Sequence, residues 1–329
     1  MFSSAGKESL KDSSPMRVFK KYNPFLTILY ALRLHYYPSD GKIAQKVERM
    51  YRNMLSKGKG EDAVISHTNG QCLICNFAHQ LPFYQQQFPL YDRQLAKLCS
   101  YMHKQMHRKI NIIDVGANVG DTVLNIGLKD AFYLCIEGDT NYSKFIKSNL
   151  RKYNYTLEEV FLNDNDSSCN YNIAASNGTG HLIHTEIQDH SVRLISLDTL
   201  LEEKYTEKKI DLIKIDTDGF DFKVIRGAKQ CMQKWHPLLF FEWDKAFCKE
   251  QGEDPLSIFP ILDKLGYKEC ILFDNFGIVF ANVDTNNTAL LKSYIDNTIV
   301  DGLPYYYDVL AIPQNHTLSK KQIYNLFVQ

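Results

Sequence analysis

The chain has no surplus of either charge: 38 Lys and Arg balance 38 Asp and Glu over 329 residues. An extended nucleic-acid footprint needs a basic excess, so nucleic acid is not expected as a partner, and only a local basic patch stays open. No apolar leader is expected, since residues 1–15 are polar. The apolar run Phe25–Leu34 falls short of the roughly 20 residues that cross a bilayer, so no transmembrane segment is expected. The eight cysteines form no disulfide framework, and several sit inside apolar strands. They read as reduced, core-filling thiols of a cytoplasmic protein. Cys72 and Cys75 are three apart on a predicted strand, where side chains at that spacing face opposite ways, and no second pair follows. No zinc site is expected. His103 and His107 lie four apart on a predicted helix without a metalloprotease glutamate, and solvent exposure is the expectation for them. Internal repeats and low-complexity segments are absent.

What the chain does have is a strand, a glycine turn and a helix start at Ile110–Asp121 (Ile-Asn-Ile-Ile-Asp-Val-Gly-Ala-Asn-Val-Gly-Asp). In an α/β fold this is where a nucleotide-like cofactor is held. A dinucleotide fingerprint needs glycine at the first, third and sixth places. Counted from Gly116, the third is Asn118 and the sixth Asp121, and an acid in the first helical turn repels phosphate. The spacing points instead to S-adenosylmethionine, with Asp114 receiving its ammonium group and the Gly116–Gly120 amides meeting its carboxylate. A second apolar strand ends in Glu137, about 20 residues beyond the glycine loop, where an acid bonds ribose hydroxyls. A third short strand, Glu159–Asn163, runs into Asp164-Asn165-Asp166, where an adenine amine finds an acceptor at Asp164 or where turn chemistry alone is at work.

Around these motifs the pattern divides the chain into residues 1–61, 62–109 and 110–329. The first part is polar and then helical twice, on either side of Pro38-Ser39-Asp40-Gly41. Lys20, Lys21 and Arg33 beside Phe25, Leu26 and Leu29 suit an interfacial membrane helix, or an arm packed on the domain or on a second subunit, which is the preferred reading. The second part is a hairpin over Ala63–Asn76 turning at Asn69-Gly70, then a helix capped by Asp92. In the third, Asp211–Gly219 reads as a buried strand interrupted by Lys214. Leu212, Lys214 and Asp216 share a face, and an ammonium there is costly unless paired. Asp221 reads as the cap of a helix over Phe222–Lys234, and the strand Pro237–Asp244 brings Glu242 to the same carboxyl edge as Asp216.

Three stretches together carry a resemblance: Asp114–Asp121, Ile136-Glu137-Gly138, and Ile213–Asp221 (Ile-Lys-Ile-Asp-Thr-Asp-Gly-Phe-Asp), with Phe240-Phe241-Glu242-Trp243 as a later acidic strand end. They resemble the FkbM-type methyltransferase family. The resemblance implies a class I, Rossmann-like methyltransferase fold: a seven-stranded, mostly parallel sheet with a reversed last strand and helices on both faces, preceded here by a helical arm. It implies methyl transfer from S-adenosylmethionine to a hydroxyl of a sugar, a glycan or a small natural product, as in bacterial surface polysaccharide or lipopolysaccharide pathways. The chain departs from the family pattern at Asp218 and Asp221, where glutamates are usual. On this reading Asp216 is the first choice for general base and Glu242 the second, with Lys214 keeping one of them ionised and oriented. A metal held by Asp216, Asp218 and Glu242 lacks a supporting histidine or spacing, so none is assigned. A buried ion-pair network bracing the strand ends is the rival for these three. Tyr84, Tyr91 and Trp243 are available to stack on a sugar. A dinucleotide oxidoreductase and a non-catalytic scaffold contacting partners through its arm are the competing functions.

Overall fold

The computed structural model describes residues 22–68, 70–176, 179–184, 191–298 and 305–328. The arm is two helices, Pro24–Tyr36 and Lys42–Ser56. Asn23 starts the first by accepting from the amides of Phe25 and Leu26 at 3.0 and 3.2 Å, with Pro24 at the position where a missing N–H is harmless. Leu26, Leu29 and Tyr30 from this helix and Val47 and Tyr51 from the next are buried with Phe77 and Phe83. One side of the arm is therefore packed on its own chain.

β1 (Ala63–Thr68) and β2 (Gln71–Asn76) pair antiparallel as expected, and Asn69 of their turn lies outside the described residues. Cys72 is exposed and Cys75 buried, as opposite faces of a strand require. Helices Leu81–Gln87 and Arg93–Met106 follow. Asp92 precedes the second of them but does not cap it: its backbone is left-handed (φ 58°) and its side chain makes no cap hydrogen bond.

β3 (Asn111–Val115), β4 (Phe132–Ile136) and β5 (Asn154–Glu158) then run parallel to one another. β6 (Phe161–Asn163), β7 (Ser167–Ser176), β8 (Thr179–His184) and β9 (Ser191–Ser196) leave the main sheet and form a second one, ordered β6-β9-β7-β8. The third core strand is thus β5, five residues before the stretch that the sequence pattern suggested. β10 (Leu212–Ile215) and β11 (Leu238–Trp243) return to the main sheet in parallel, and β12 (Tyr267–Asp274), β13 (Val279–Asp284) and β14 (Tyr307–Pro313) complete it.

The full order is β5-β4-β3-β10-β11-β14-β12-β13. β14 is antiparallel to both neighbours, so it is the reversed strand, inserted between β11 and β12. An eighth strand, β13, adds an edge to the expected seven. Strand parity then sorts the core. Ile113, Ile213, Leu239 and Val309 lie in one buried cluster, while Ile112, Leu212, Phe240 and Leu310 lie in the other, which includes the arm. By the same parity Asp114, Lys214, Asp216, Glu242 and Asp308 all belong to the arm-side face, near its carboxyl edge.

Candidate functional site

Lys214 of β10 stands in register with Asp114 of β3, and Asp216 follows two residues on along the same face. The ammonium lies 3.4 Å from Asp114 and 3.2 Å from Asp216, and donates to the Gly116 carbonyl at 3.3 Å. Burial alone would lower its pKa, but Asp216, Asp114 and Asp121 outweigh that and hold it protonated. Asp114 is fully buried, and neither of its carboxylate oxygens has a hydrogen bond of ordinary geometry. Burial raises its pKa and Lys214 opposes the rise.

Gly116 turns the chain away from β3 with φ 72°, and a Cβ there would come within 1.8 Å of the Asp216 carbonyl oxygen. Only glycine lets these two strand ends close together. The Gly116 and Ala117 amides donate to Ile136 of β4, while Asn118, itself at φ 47°, donates its amide to Glu137 at 2.8 Å. The other Glu137 oxygen accepts from the Asp139 amide at 2.8 Å. Burial pushes Glu137 up to about 7 in spite of these two bonds. Each oxygen retains a lone pair for a hydroxyl. Gly120, also left-handed, precedes the helix Asp121–Ile126.

Two cavities flank this loop and meet at Gly116, Asn118, Asp216 and Asp218. The smaller, about 70 Å³, runs past Glu137 to Val160, Phe161 and Leu162. Asp164 does not line it. It lies beyond β6, 3.5 Å from the Arg226 guanidinium, so the far end of this cavity is apolar. The larger, about 290 Å³, is lined by six carboxylates (Asp92, Asp121, Asp216, Asp218, Glu242 and Asp308), and among its described lining residues Lys214 is the one Lys or Arg.

That crowding shows in every acid whose pKa moves. Burial, then Asp121 and Asp216, push Asp92 up to about 8. Burial and Asp216 push Asp218 up to about 7, and Glu242 goes well above the ordinary range for the same reasons, with Asp221 adding to it. Asp308 is also raised well, by burial and by Asp92. Carboxylate oxygens of Asp216, Asp218 and Glu242 lie within 4.8 Å of one another, so these three have the spacing to share protons or to hold a metal ion.

Asp221 is not the helix cap that the sequence suggested. Phe220 takes that position, and the helix is split into Asp221–Arg226 and Lys229–Trp235. The Asp221 carboxylate instead accepts from the Thr217 hydroxyl at 2.9 Å and from the Glu242 amide at 3.4 Å, tying the ends of β10 and β11 together. Trp243 is fully buried, and its indole N–H donates to the Pro255 carbonyl at 2.8 Å, so it belongs to the core and not to a sugar platform. Tyr84 and Tyr91 do line the larger cavity. Sequence reasoning missed Asp92, Tyr306, Asp308 and His79 in that wall. For Asp308 a signal existed: a reversed last strand begins at the carboxyl edge of its neighbour, and here Asp308 pairs with Glu242.

Five parallel strands with the reversed β14 beside them, and acids at the ends of the first two, are the topology of the class I methyltransferase fold. Residues 114–269, just under half of the chain, match the family model of the methyltransferase FkbM domain. No curated protein matches the chain. Among solved structures it is similar to the methyltransferase FkbM from Methylobacillus flagellatus, at 16% identity over 50% of this chain and 48% of that one, with a TM-score of 0.32. This chain thus spans about half the length of that protein. It is also similar to the plantazolicin methyltransferase BpumL, solved with SAH, at 11% identity over 88% and 96% of the two chains, TM-score 0.36. A third is a putative O-methyltransferase from Klebsiella pneumoniae, at 10% identity over 66% and 79%, TM-score 0.34.

Proposed function

We propose that this chain is a cytoplasmic O-methyltransferase that uses S-adenosylmethionine to methylate a hydroxyl of a sugar or glycan. The smaller cavity is the donor side and the larger one the acceptor side. The observation that carries the reading is their junction: the Gly116–Gly120 loop, fastened to Glu137, opens on one side to an apolar slot and on the other to a carboxylate-lined chamber.

The donor's chemistry fits the residues present. Glu137 offers lone pairs to ribose hydroxyls, and Val160, Phe161 and Leu162 offer an apolar wall to a purine, whereas Asp114 lines neither cavity and is held by Lys214. When bound, the cofactor supplies an electrophilic methyl group. The chain's own work is alignment and proton removal. Tyr84 and Tyr91 supply ring faces to an acceptor, and Asp92 and Asp308 accept from its other hydroxyls. The reacting hydroxyl's proton passes to the cluster of Asp216, Asp218 and Glu242, whose carboxylate oxygens lie within 4.8 Å of one another. Asp216, held against Lys214, orients the hydroxyl and takes its proton, and burial favours the protonated form of Glu242 beside it. The cysteines among the described residues are all free thiols, which suits a reducing compartment.

The test is calorimetry with S-adenosylmethionine, S-adenosylhomocysteine and NAD, followed by labelled methyl transfer to a panel of nucleotide-sugars and glycans. Binding of the first two and not of NAD is expected. Asp216→Asn should keep cofactor binding and lower transfer by about 10²- to 10⁴-fold, the range for a lost general base. Full turnover by that variant removes Asp216 from the mechanism.

A further inference from the structure

The outward side of the first arm helix has the wrong composition for water. Its exposed residues are Pro24, Phe25, Ile28, Ala31, Leu32 and His35, without one Lys, Arg, Asp or Glu among them. Phe25, Ile28 and Leu32 are 53%, 61% and 42% exposed at helical spacing. Arg33, the helix's one Lys or Arg, is turned inward, its guanidinium 4.0 and 4.1 Å from the Tyr51 and Phe83 rings and bonded to Glu48. The adjoining helix shows water a basic face instead. Lys42, Lys46, Arg49 and Arg52 are exposed on it, with Ile43 and Met50 among them. Its one acid, Glu48, is engaged by Arg33 and Arg52.

The charge of the whole chain is divided the same way. Residues 1–61 contain 12 Lys and Arg against 5 Asp and Glu, a net +7, which leaves −7 for the rest of a chain whose sum is zero. An apolar row beside a basic face on a positively charged segment is the composition that binds a negatively charged interface.

We propose that the arm seats this protein on an anionic lipid surface. The Phe25, Ile28 and Leu32 row enters the headgroup boundary, and the Lys42, Lys46 and Arg49 side chains meet lipid phosphates. A two-fold dimer through the same row would bring two arms of like charge together, which the lipid surface avoids. No described helix is long and apolar enough to cross a membrane, so the attachment is peripheral and reversible. Attachment of the arm is independent of the acceptor and of methyl transfer.

The test is flotation of the full chain with phosphatidylcholine vesicles, with and without phosphatidylglycerol, at low and raised salt. The expected result is flotation with the anionic vesicles only, weakened by salt. Ile28→Asp with Leu32→Asp should lower the bound fraction at least tenfold at an unchanged melting temperature, because both side chains face solvent. Should that pair fail to fold, Lys46→Glu with Arg49→Glu gives the same reading through charge. The proposal is overturned by absence of flotation with anionic vesicles, or by flotation that neither pair reduces. It is equally overturned if sedimentation shows a dimer that the aspartate pair dissociates while lipid binding stays the same.

Discussion

Lys214 shows how a single residue can announce a site. A lysine in a run of buried β-branched residues has no packing explanation, and the fold supplies the answer through register: Asp114 across the sheet and Asp216 along the strand. The two partners differ. Asp216 is 52% exposed at its side chain, whereas Asp114 has no access to water, so loss of the ammonium strands a buried charge at Asp114. Lys214→Met should therefore destabilise the protein by about 3–5 kcal/mol in denaturant titration, the range for breaking a buried pair from one side. A loss below about 1 kcal/mol would show that Asp114 is neutral without it. Gly116, Glu137 and Glu242 were also legible, because each stands at the end of an apolar run. Asp92 was not: its local pattern is that of a helix cap, and only a left-handed backbone turns it toward the chamber.

Among the elements, the core strands β3, β4, β10 and β11 were legible because they are almost wholly buried on both faces. β5 escaped because Asn154–Glu158 is an edge strand of intermediate burial, alternating polar and apolar residues without a solid run. The split after Arg226 escaped because its cause is remote. Gly227 abuts β6, and a Cβ on it would come within 2.2 Å of the Asn163 carbonyl oxygen. The second sheet is thus packed onto the helix through one glycine. Gly227→Ala should force the two apart, at a cost of about 1–3 kcal/mol for overpacking. It should also weaken S-adenosylhomocysteine binding in calorimetry, since Phe161 and Leu162 of β6 line the donor slot. Unchanged affinity in a destabilised variant would detach β6 from the cofactor.

The molecule as a whole holds its acids against their own repulsion. A carboxyl with a raised folded-state pKa is more readily protonated folded than unfolded. It contributes stability below the ordinary carboxyl range and loses it as pH rises through the folded value. Asp121 and Asp221 sit at about 6, Glu137 and Asp218 at about 7, and Asp92 at about 8. The melting temperature of the ligand-free protein should accordingly fall from about pH 4 to about pH 8, and Asp92→Asn should flatten the upper part of that fall. A melting temperature that climbs across this window would refute the assignment. The chamber's walls have separate origins: Gly116, Asp216 and Glu242 lie within residues 114–269, whereas His79, Tyr91, Asp92, Tyr306 and Asp308 lie outside them. Selection can therefore reshape what enters the chamber by editing the flanks alone, so enzymes with interchangeable cores can diverge in their targets.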